Sequence, residues 1–181
     1  MTKADPRIAK TRQALRSALM TLVCEQPFEK VTVQDIAARA GLGYATFFRH
    51  YPSREALLAD IAEGLIGDLV LLVAPLMHTR DTPAAARTLT EFVEARRSVS
   101  RGLLVGAGDA MRRDITQRAI AMANGVDADT PAWLPRGLGI VHGVGATLSI
   151  LGWWLEHEPQ RHHADVAGLI DRLVFAPLSA R

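Results

Sequence analysis

The sequence of 181 residues is long enough to bury a hydrophobic core and to form one or two domains. Its composition, 49% hydrophobic and 22% charged residues, is that of a globular protein and excludes a disordered chain. The one cysteine, Cys24, excludes an internal disulfide and suits a reducing compartment. No apolar run follows the charged first residues, so we expect no signal peptide and a cytoplasmic protein.

Positive charge is concentrated at the N-terminal end. Residues 1–60 contain nine Lys and Arg against six Asp and Glu, whereas residues 61–181 contain twelve against thirteen. All three lysines, Lys3, Lys10 and Lys30, lie in the first thirty residues. Because neutralisation of phosphates supplies much of the affinity of proteins for DNA, this bias suits a polyanionic partner at that end.

The first helix is predicted from about residue 7 to residue 25, where apolar side chains recur with helical spacing and basic side chains lie between them. Pro27 breaks this helix. The helix begins an N-terminal unit of roughly fifty residues, which is too small to be stable without support from the residues that follow.

Two short helices joined by a glycine turn are predicted next, in residues 33–40 and 43–51. Thr32 can cap the first of them, and Asp35 stands where a capping box places its acid. Gly41 follows at the position where helices commonly end in a left-handed residue. Helix, glycine-bearing turn and helix is the layout that places its second helix in the DNA major groove.

The rest of the chain, residues 53–181, is predicted to form a second, larger helical domain. A helix of more than twenty residues begins after the cap Ser53 and is kinked or ended by Pro75. Further helices are expected behind a Thr82 cap to about residue 96, and at about residues 98–108, 109–124, 135–156 and 162–175. The fold class is therefore all-α, with about nine helices in two domains, residues 1–52 and 53–181.

Residues 32–57 closely resemble the DNA-binding segment of the TetR (tetracycline repressor) family of bacterial regulators. The family pattern is approximately Thr, three residues, Ile-Ala, two residues, Ala-Gly-Val-Ser, a variable pair, Thr-Leu-Tyr, one residue, His-Phe, one residue, Ser/Asn-Lys-Glu, then Leu. The matching residues are Thr32, Ile36, Ala37, Ala40, Gly41, Thr46, His50, Ser53, Glu55 and Leu57. With the preceding helix, the resemblance covers about residues 7–62.

The resemblance implies which residues contact DNA. Tyr44, Ala45 and Thr46 would face base edges, where Ala45 and the Thr46 methyl group can touch a thymine methyl. The residues expected to hold phosphates and to orient the domain are Thr32, His50 and Arg54.

The sequence departs from the family pattern at four positions inside this segment. Gly43 replaces the usual Ser and weakens the cap of the recognition helix, and Phe48 lacks the hydroxyl of the usual Tyr. Tyr51 replaces Phe, and Arg54 replaces Lys while keeping the charge. Gly43 and Phe48 remain among the predicted DNA-binding residues. Because of these replacements, we expect the set of hydrogen-bond donors to the DNA backbone to differ from that of the family.

The resemblance also implies a homodimer that binds a palindromic operator in double-stranded DNA and responds to a small-molecule effector, more often as a repressor than as an activator. The predicted helices at 135–156 and 162–175 would pair with their copies in a four-helix bundle. Gly139 and Gly143 begin a track of small residues that permits helices to approach closely.

The effector is expected to be small and largely apolar, because methionine and aromatic side chains suit an adaptable apolar cavity. Any single residue of this kind is more often an ordinary core residue than a pocket residue. The candidate pocket residues are Phe92, Leu104, Met111, Ile115, Met122, Trp133, His142 and Trp153.

No enzymatic activity, cofactor or metal site is predicted. The sequence contains no Gly-rich phosphate loop and no Ser/His/Asp set in a recognisable context. Residues 156–163 are rich in His and Glu, but their spacing matches no zinc pattern and favours a solvated turn.

Residues 137–155 leave an alternative function open, since they are long enough to span a bilayer and contain no acidic or basic residue except His142. Their five glycines and the central histidine argue against a membrane partner. The alternative is a helical small-molecule-binding or membrane-associated module without specific DNA binding.

Overall fold

The computed structural model describes residues 6–106, 113, 116–122 and 132–179. Within these ranges the regular secondary structure is helical throughout, which confirms the all-α class. Half of the predicted helix at 109–124 and two predicted pocket residues, Met111 and Ile115, lie outside the described residues.

The N-terminal part contains α1 (Pro6–Glu25), a 3-10 turn (Phe28–Lys30), α2 (Val33–Arg39) and α3 (Tyr44–Phe48). It is followed by α4 (Arg54–His78), α5 (Thr82–Ala95), α6 (Arg97–Leu104) and α7 (residues 116–122). The C-terminal part contains α8 (Arg136–His157), α9 (His163–Ile170), a π-helical stretch (Asp171–Phe175) and α10 (Ala176–Ser179).

The predicted start and end of α2 are confirmed. The Thr32 hydroxyl accepts the N–H of Asp35 over 3.1 Å, and the Asp35 carboxylate accepts the N–H of Thr32 over 2.9 Å. Gly41 has a φ of +68°, so the helix ends in the left-handed conformation that glycine adopts without steric cost. Ser53 caps α4 as expected, because its hydroxyl accepts the N–H of Ala56.

One predicted helix boundary is wrong. Asp81, not Thr82, caps α5: its carboxylate accepts the N–H of Ala84 over 3.0 Å. Thr82 is instead the first helical residue and is buried, so packing decides between two adjacent residues of capping type. Pro75 lies near the end of α4 as predicted, and the helix ends at His78, within one further turn.

The described residues form two hydrophobic cores. The first lies among α1, α2, α3 and the start of α4, around Leu15, Leu19 and Phe47. The second lies among α5, α8, α9 and the π-helical stretch, around Trp154 and Ile170. The N-terminal core also includes Leu103 of α6. The small N-terminal unit therefore packs against the rest of the chain, as expected for its size.

Helix α8 has the length and composition of a membrane span, with a mean hydropathy of 1.5. It nevertheless packs inside the helical fold, because Leu151, Trp154 and Leu155 are buried in the second core. Its other side, here called the outer face of α8, is only partly covered. That face comprises Val141, Gly145, Ser149 and Trp153.

Candidate nucleic-acid interface

The recognition helix α3 is anchored by one aromatic side chain and exposes two others. Phe47 is fully buried in the N-terminal core, whereas Tyr44 and Phe48 are 57% and 45% exposed. The rings of Tyr44 and Phe48 meet edge to face, with centroids 5.1 Å apart. The two rings thus form an exposed aromatic pair on the surface of α3.

The helix-turn-helix geometry around Gly41 supports that surface. The N–H of Leu42 donates to the carbonyl of Ala37 over 2.9 Å, which closes the turn between α2 and α3. Gly43 starts α3 without a side-chain hydrogen bond, as its missing hydroxyl predicts. The N–H of Thr46 donates to the Gly43 carbonyl over 2.8 Å, whereas the N–H groups of Tyr44 and Ala45 have no side-chain cap from Gly43.

The structure places the predicted DNA-binding residues in two settings. Six of these residues lie on or beside α3. Four of the six are exposed, namely Gly43, Tyr44, Ala45 and Phe48, and two are half-buried, namely Thr46 and His50. Their common side is the one opposite Phe47, whose ring faces the core. The exposed side of α3 is thus a continuous surface of backbone, small side chains and aromatic rings.

Thr32 and Arg54 already have partners within the chain. The Thr32 hydroxyl donates to Asp35 over 2.6 Å. The Arg54 guanidinium donates to the carbonyls of Phe28, Glu29 and Val31, and it lies 4.7 Å from the centre of the Phe28 ring. Contact of these two residues with phosphate stays a prediction, and Arg54 has in addition a structural task in holding the 3-10 turn.

Arg49 is a further candidate that the family pattern does not mark, because it occupies a variable position. Its guanidinium is exposed and donates to the Thr46 hydroxyl over 2.9 Å. The spacing of three residues on α3 brings the two side chains together. The sequence signal for Arg49 is its position, three residues after Thr46, which is predicted to contact a base.

The charges near the interface are predominantly positive. Lys10, Arg12, Lys30 and Arg49 are exposed in the N-terminal part. Arg39 is paired with Glu25 by two hydrogen bonds of 2.9 and 2.8 Å, which lower the pKa of that carboxyl. The hydrogen bonds from Thr32 likewise lower the pKa of Asp35, so the carboxylate of the capping box stays charged at neutral pH.

The predicted effector residues separate into three groups. Phe92 and Leu104 are buried, with Leu104 in the second core, and Met122 is half-buried. Trp153 is 40% exposed and stacks on His157. Trp133 and His142, however, line one cavity of about 290 Å³ between the start of α8 and α10. The other residues lining it are Leu134, Leu138, Pro177 and Leu178.

The His- and Glu-rich turn after α8 serves structural purposes. Arg161 pairs with Glu158, and the His162 ring accepts the N–H of Ala164 at the start of α9. Within the described part of the chain, no three His, Cys, Asp or Glu side chains converge as a metal site would need.

Residues 15–61 match the family described as bacterial regulatory proteins, tetR family. Among curated relatives, an uncharacterised helix-turn-helix regulator, YxbF of Bacillus subtilis, is 30% identical over 67 residues, which cover 36% of this chain and 18% of that protein. The nucleoid occlusion factor SlmA of Shewanella pealeana is 28% identical over 126 residues, covering 63% of this chain and 62% of SlmA. The chain therefore spans less than two thirds of the length of either relative.

Several solved structures share the fold over nearly the whole chain. A TetR regulator from Streptococcus agalactiae has a TM-score of 0.66 at 22% identity, covering 93% of this chain and 96% of that one. The fatty acid degradation regulator FadR from Bacillus halodurans has a TM-score of 0.71 at 13% identity, covering 99% and 100%. FadR of Thermus thermophilus, solved with lauroyl-CoA, has a TM-score of 0.57 at 20% identity, covering 94% and 96%.

Proposed function

We propose that this chain, whose residues 15–61 match the tetR family of bacterial regulatory proteins, is a transcriptional regulator and not an enzyme. In this proposal it is a homodimeric repressor that a small apolar effector releases from a palindromic operator. The observation that carries the proposal is the exposed side of α3. It presents Tyr44, Ala45 and Phe48 outward while Phe47 holds the helix in the core. A helix anchored on one side and open on the other is what insertion into a major groove needs.

In the proposed complex, Tyr44, Ala45 and Thr46 contact base edges and so determine the sequence preference. Phosphates are held by Thr32, His50, Arg54 and, newly, Arg49. These contacts set the register of the domain and give the affinity its dependence on salt.

A second copy of the chain is proposed to cover the outer face of α8. Val141 is 50% exposed there, and Trp153 is 40% exposed. The small residues Gly145 and Ser149 on the same face permit close approach of a partner helix. The Leu173 side chain, 61% exposed in the π-helical stretch, extends the apolar surface beside α8.

The effector is proposed to bind the cavity beside Trp133 and His142. A volume of about 290 Å³ lies at the lower end of the range for small-molecule sites. Its walls are apolar apart from the His142 imidazole and the Trp133 indole N–H. These two groups could form a hydrogen bond with one polar group on an otherwise apolar molecule.

Helix α4 is the proposed mechanical link between effector and DNA. Its first turns belong to the N-terminal core through Leu57 and Leu58, whereas Leu69 and Leu76 pack against the second core. An effector that binds better to a conformer with the wrong separation of the two recognition helices, about 34–36 Å in the DNA-bound dimer, would reduce the bound population.

Selection from a random DNA library, followed by a gel-shift titration, tests the proposal. A regulator of this kind enriches a pseudo-palindrome, and its affinity for that site exceeds its affinity for unrelated DNA at every salt concentration. Enrichment of no sequence would instead favour a helical small-molecule-binding or membrane-associated module. We place the protein in the cytoplasm, where its DNA would be.

A further inference from the structure

One carboxylate oxygen joins three separate parts of the N-terminal unit. Oδ2 of Asp60, in the second turn of α4, accepts the Tyr51 hydroxyl over 2.5 Å. The same oxygen accepts Nε and Nη2 of Arg16 over 2.9 and 2.7 Å. Arg12 completes the cluster, because its Nε donates to the Tyr51 hydroxyl over 3.2 Å and its guanidinium lies 5.0 Å from the centre of that ring.

The cluster is partly shielded from water, which strengthens its hydrogen bonds. Tyr51 is 3% exposed, and the side chains of Asp60 and Arg16 are 27% and 39% exposed. Burial would raise the pKa of Asp60, but the hydrogen bonds from Tyr51 and Arg16 outweigh it and leave that pKa below its usual range. Charge-assisted bonds of this kind are short and directional, unlike the apolar contacts around them.

Tyr51 lies next to the end of the recognition helix. Its N–H donates to the carbonyl of Phe47 over 3.0 Å, and its ring lies 6.2 Å from the Phe47 ring. A displacement of Tyr51 is therefore transmitted to Phe47, the residue that anchors α3 in the core. Asp60, by contrast, belongs to α4 and moves with it.

We propose that Asp60 is a positioning residue for DNA recognition, which sets the angle of α3 by binding Tyr51 and Arg16 through one carboxylate oxygen. The inference rests on the proposed function and adds to it the polar contact through which α4 acts. Apolar packing alone lets helices slide by small distances, whereas three bonds to one atom define the position of α4 relative to α1 and α3.

Two conservative variants test the inference. Asp60→Asn keeps the shape of the side chain and removes its charge, and Tyr51→Phe keeps the ring and removes the hydroxyl. Glu63→Gln is the matched control, since Glu63 lies on the same helix and pairs with Arg118 over 3.1 Å, away from α3. The measurements are the Kd for the selected operator and for operators with one base pair added to or removed from the spacer.

The wild type and Glu63→Gln are expected to discriminate against the altered spacers, because rigid domains fit one separation of half-sites. Asp60→Asn and Tyr51→Phe should lose about tenfold in affinity for the selected operator and much of that discrimination, as expected when bonds to a charged group are lost. If Asp60 and Tyr51 served only to stabilise the fold, the variants would lower the fraction of folded protein. The ratio of the Kd values for the altered and the original spacers would then stay unchanged.

Unchanged spacer ratios in Tyr51→Phe would overturn the inference, even if Asp60→Asn fails to fold. Equal losses in Glu63→Gln would overturn it as well. If the wild type enriches no DNA sequence, the proposed function fails and the inference falls with it; if the wild type binds its operator and both variants match it, only the inference fails.

Discussion

A Cβ atom placed on Gly102 would lie 2.6 Å from Cγ2 of Val23. Helix α6 therefore approaches α1 more closely than any residue larger than glycine permits. Two residues beyond the end of α6, the carbonyl of Gly106 accepts the N–H of Phe28 over 2.8 Å, and a Cβ on Gly106 would lie 2.9 Å from the carbonyl oxygen of Val23. The C-terminal domain thus holds the N-terminal unit by close contact with α1 as well as through α4.

Gly102→Ala should destabilise the protein by about 1–3 kcal/mol, because the added methyl group overpacks the contact with Val23. Chemical denaturation measures the change in the free energy of unfolding. Gly64→Ala is the control, since nothing lies within 4 Å of its Cβ position in α4, and it should stabilise by about 0.5–1 kcal/mol. Equal effects of the two substitutions would contradict the close contact.

Arg49→Ala and Tyr44→Ala should affect DNA binding in different ways. The first removes an exposed cation and should weaken binding to all sequences, with a decrease of about one in the slope of log K against log salt. The second removes a predicted base contact and should change the preferred sequence at a cost of about 1–3 kcal/mol. Titrations of both variants at several salt concentrations distinguish these outcomes, and identical losses would refute this division of roles.

Val141→Glu should convert the proposed dimer into a monomer, because the substitution places a charge in the apolar outer face of α8. Analytical ultracentrifugation at micromolar concentration measures the change, and operator affinity should fall with it since two half-sites are no longer joined. Leu71→Glu is the control, because Leu71 is 76% exposed on α4, outside that face. A monomeric wild type would refute the proposed interface.

Trp133→Phe and Trp153→Phe separate the two exposed tryptophans that the sequence marks as pocket residues. An apolar compound that raises the Tm of the wild type should also change the fluorescence of Trp133, which lines the cavity. Trp133→Phe should abolish that fluorescence change, whereas Trp153→Phe, with its ring on His157, should retain it. The reverse result would place the effector on the outer face of α8.

The stability of the protein should fall in acid partly through Asp60. Its pKa in the folded state lies below the ordinary 3.8, because the hydrogen bonds from Tyr51 and Arg16 outweigh the effect of burial. The carboxylate therefore contributes stability above the ordinary value and loses that contribution as the pH falls through the lowered one. Asp60→Asn should show a shallower loss of unfolding free energy between about pH 5 and pH 2; an unchanged slope would mean that other carboxylates dominate.

The sequence alone determined the local structure around the recognition helix. The capping box of Thr32 and Asp35, the left-handed Gly41 and the cap at Ser53 all follow from bonds between residues at most a few positions apart, and each is confirmed. Because such signals act within one helical turn, they can be predicted from the sequence whatever the tertiary contacts are. The family resemblance came from this same short segment.

Only the tertiary structure decided which distant residues meet. It separated Trp133 and His142, which line one cavity, from Leu104 in the core and Trp153 on an outer face. All of them are apolar or aromatic, and helical periodicity shows that such residues share a face without showing what covers it. The three bonds to Asp60 and the contact of Gly102 with Val23 arise between residues 9 to 79 positions apart. Helix packing alone sets these contacts, since no local pattern constrains such distances.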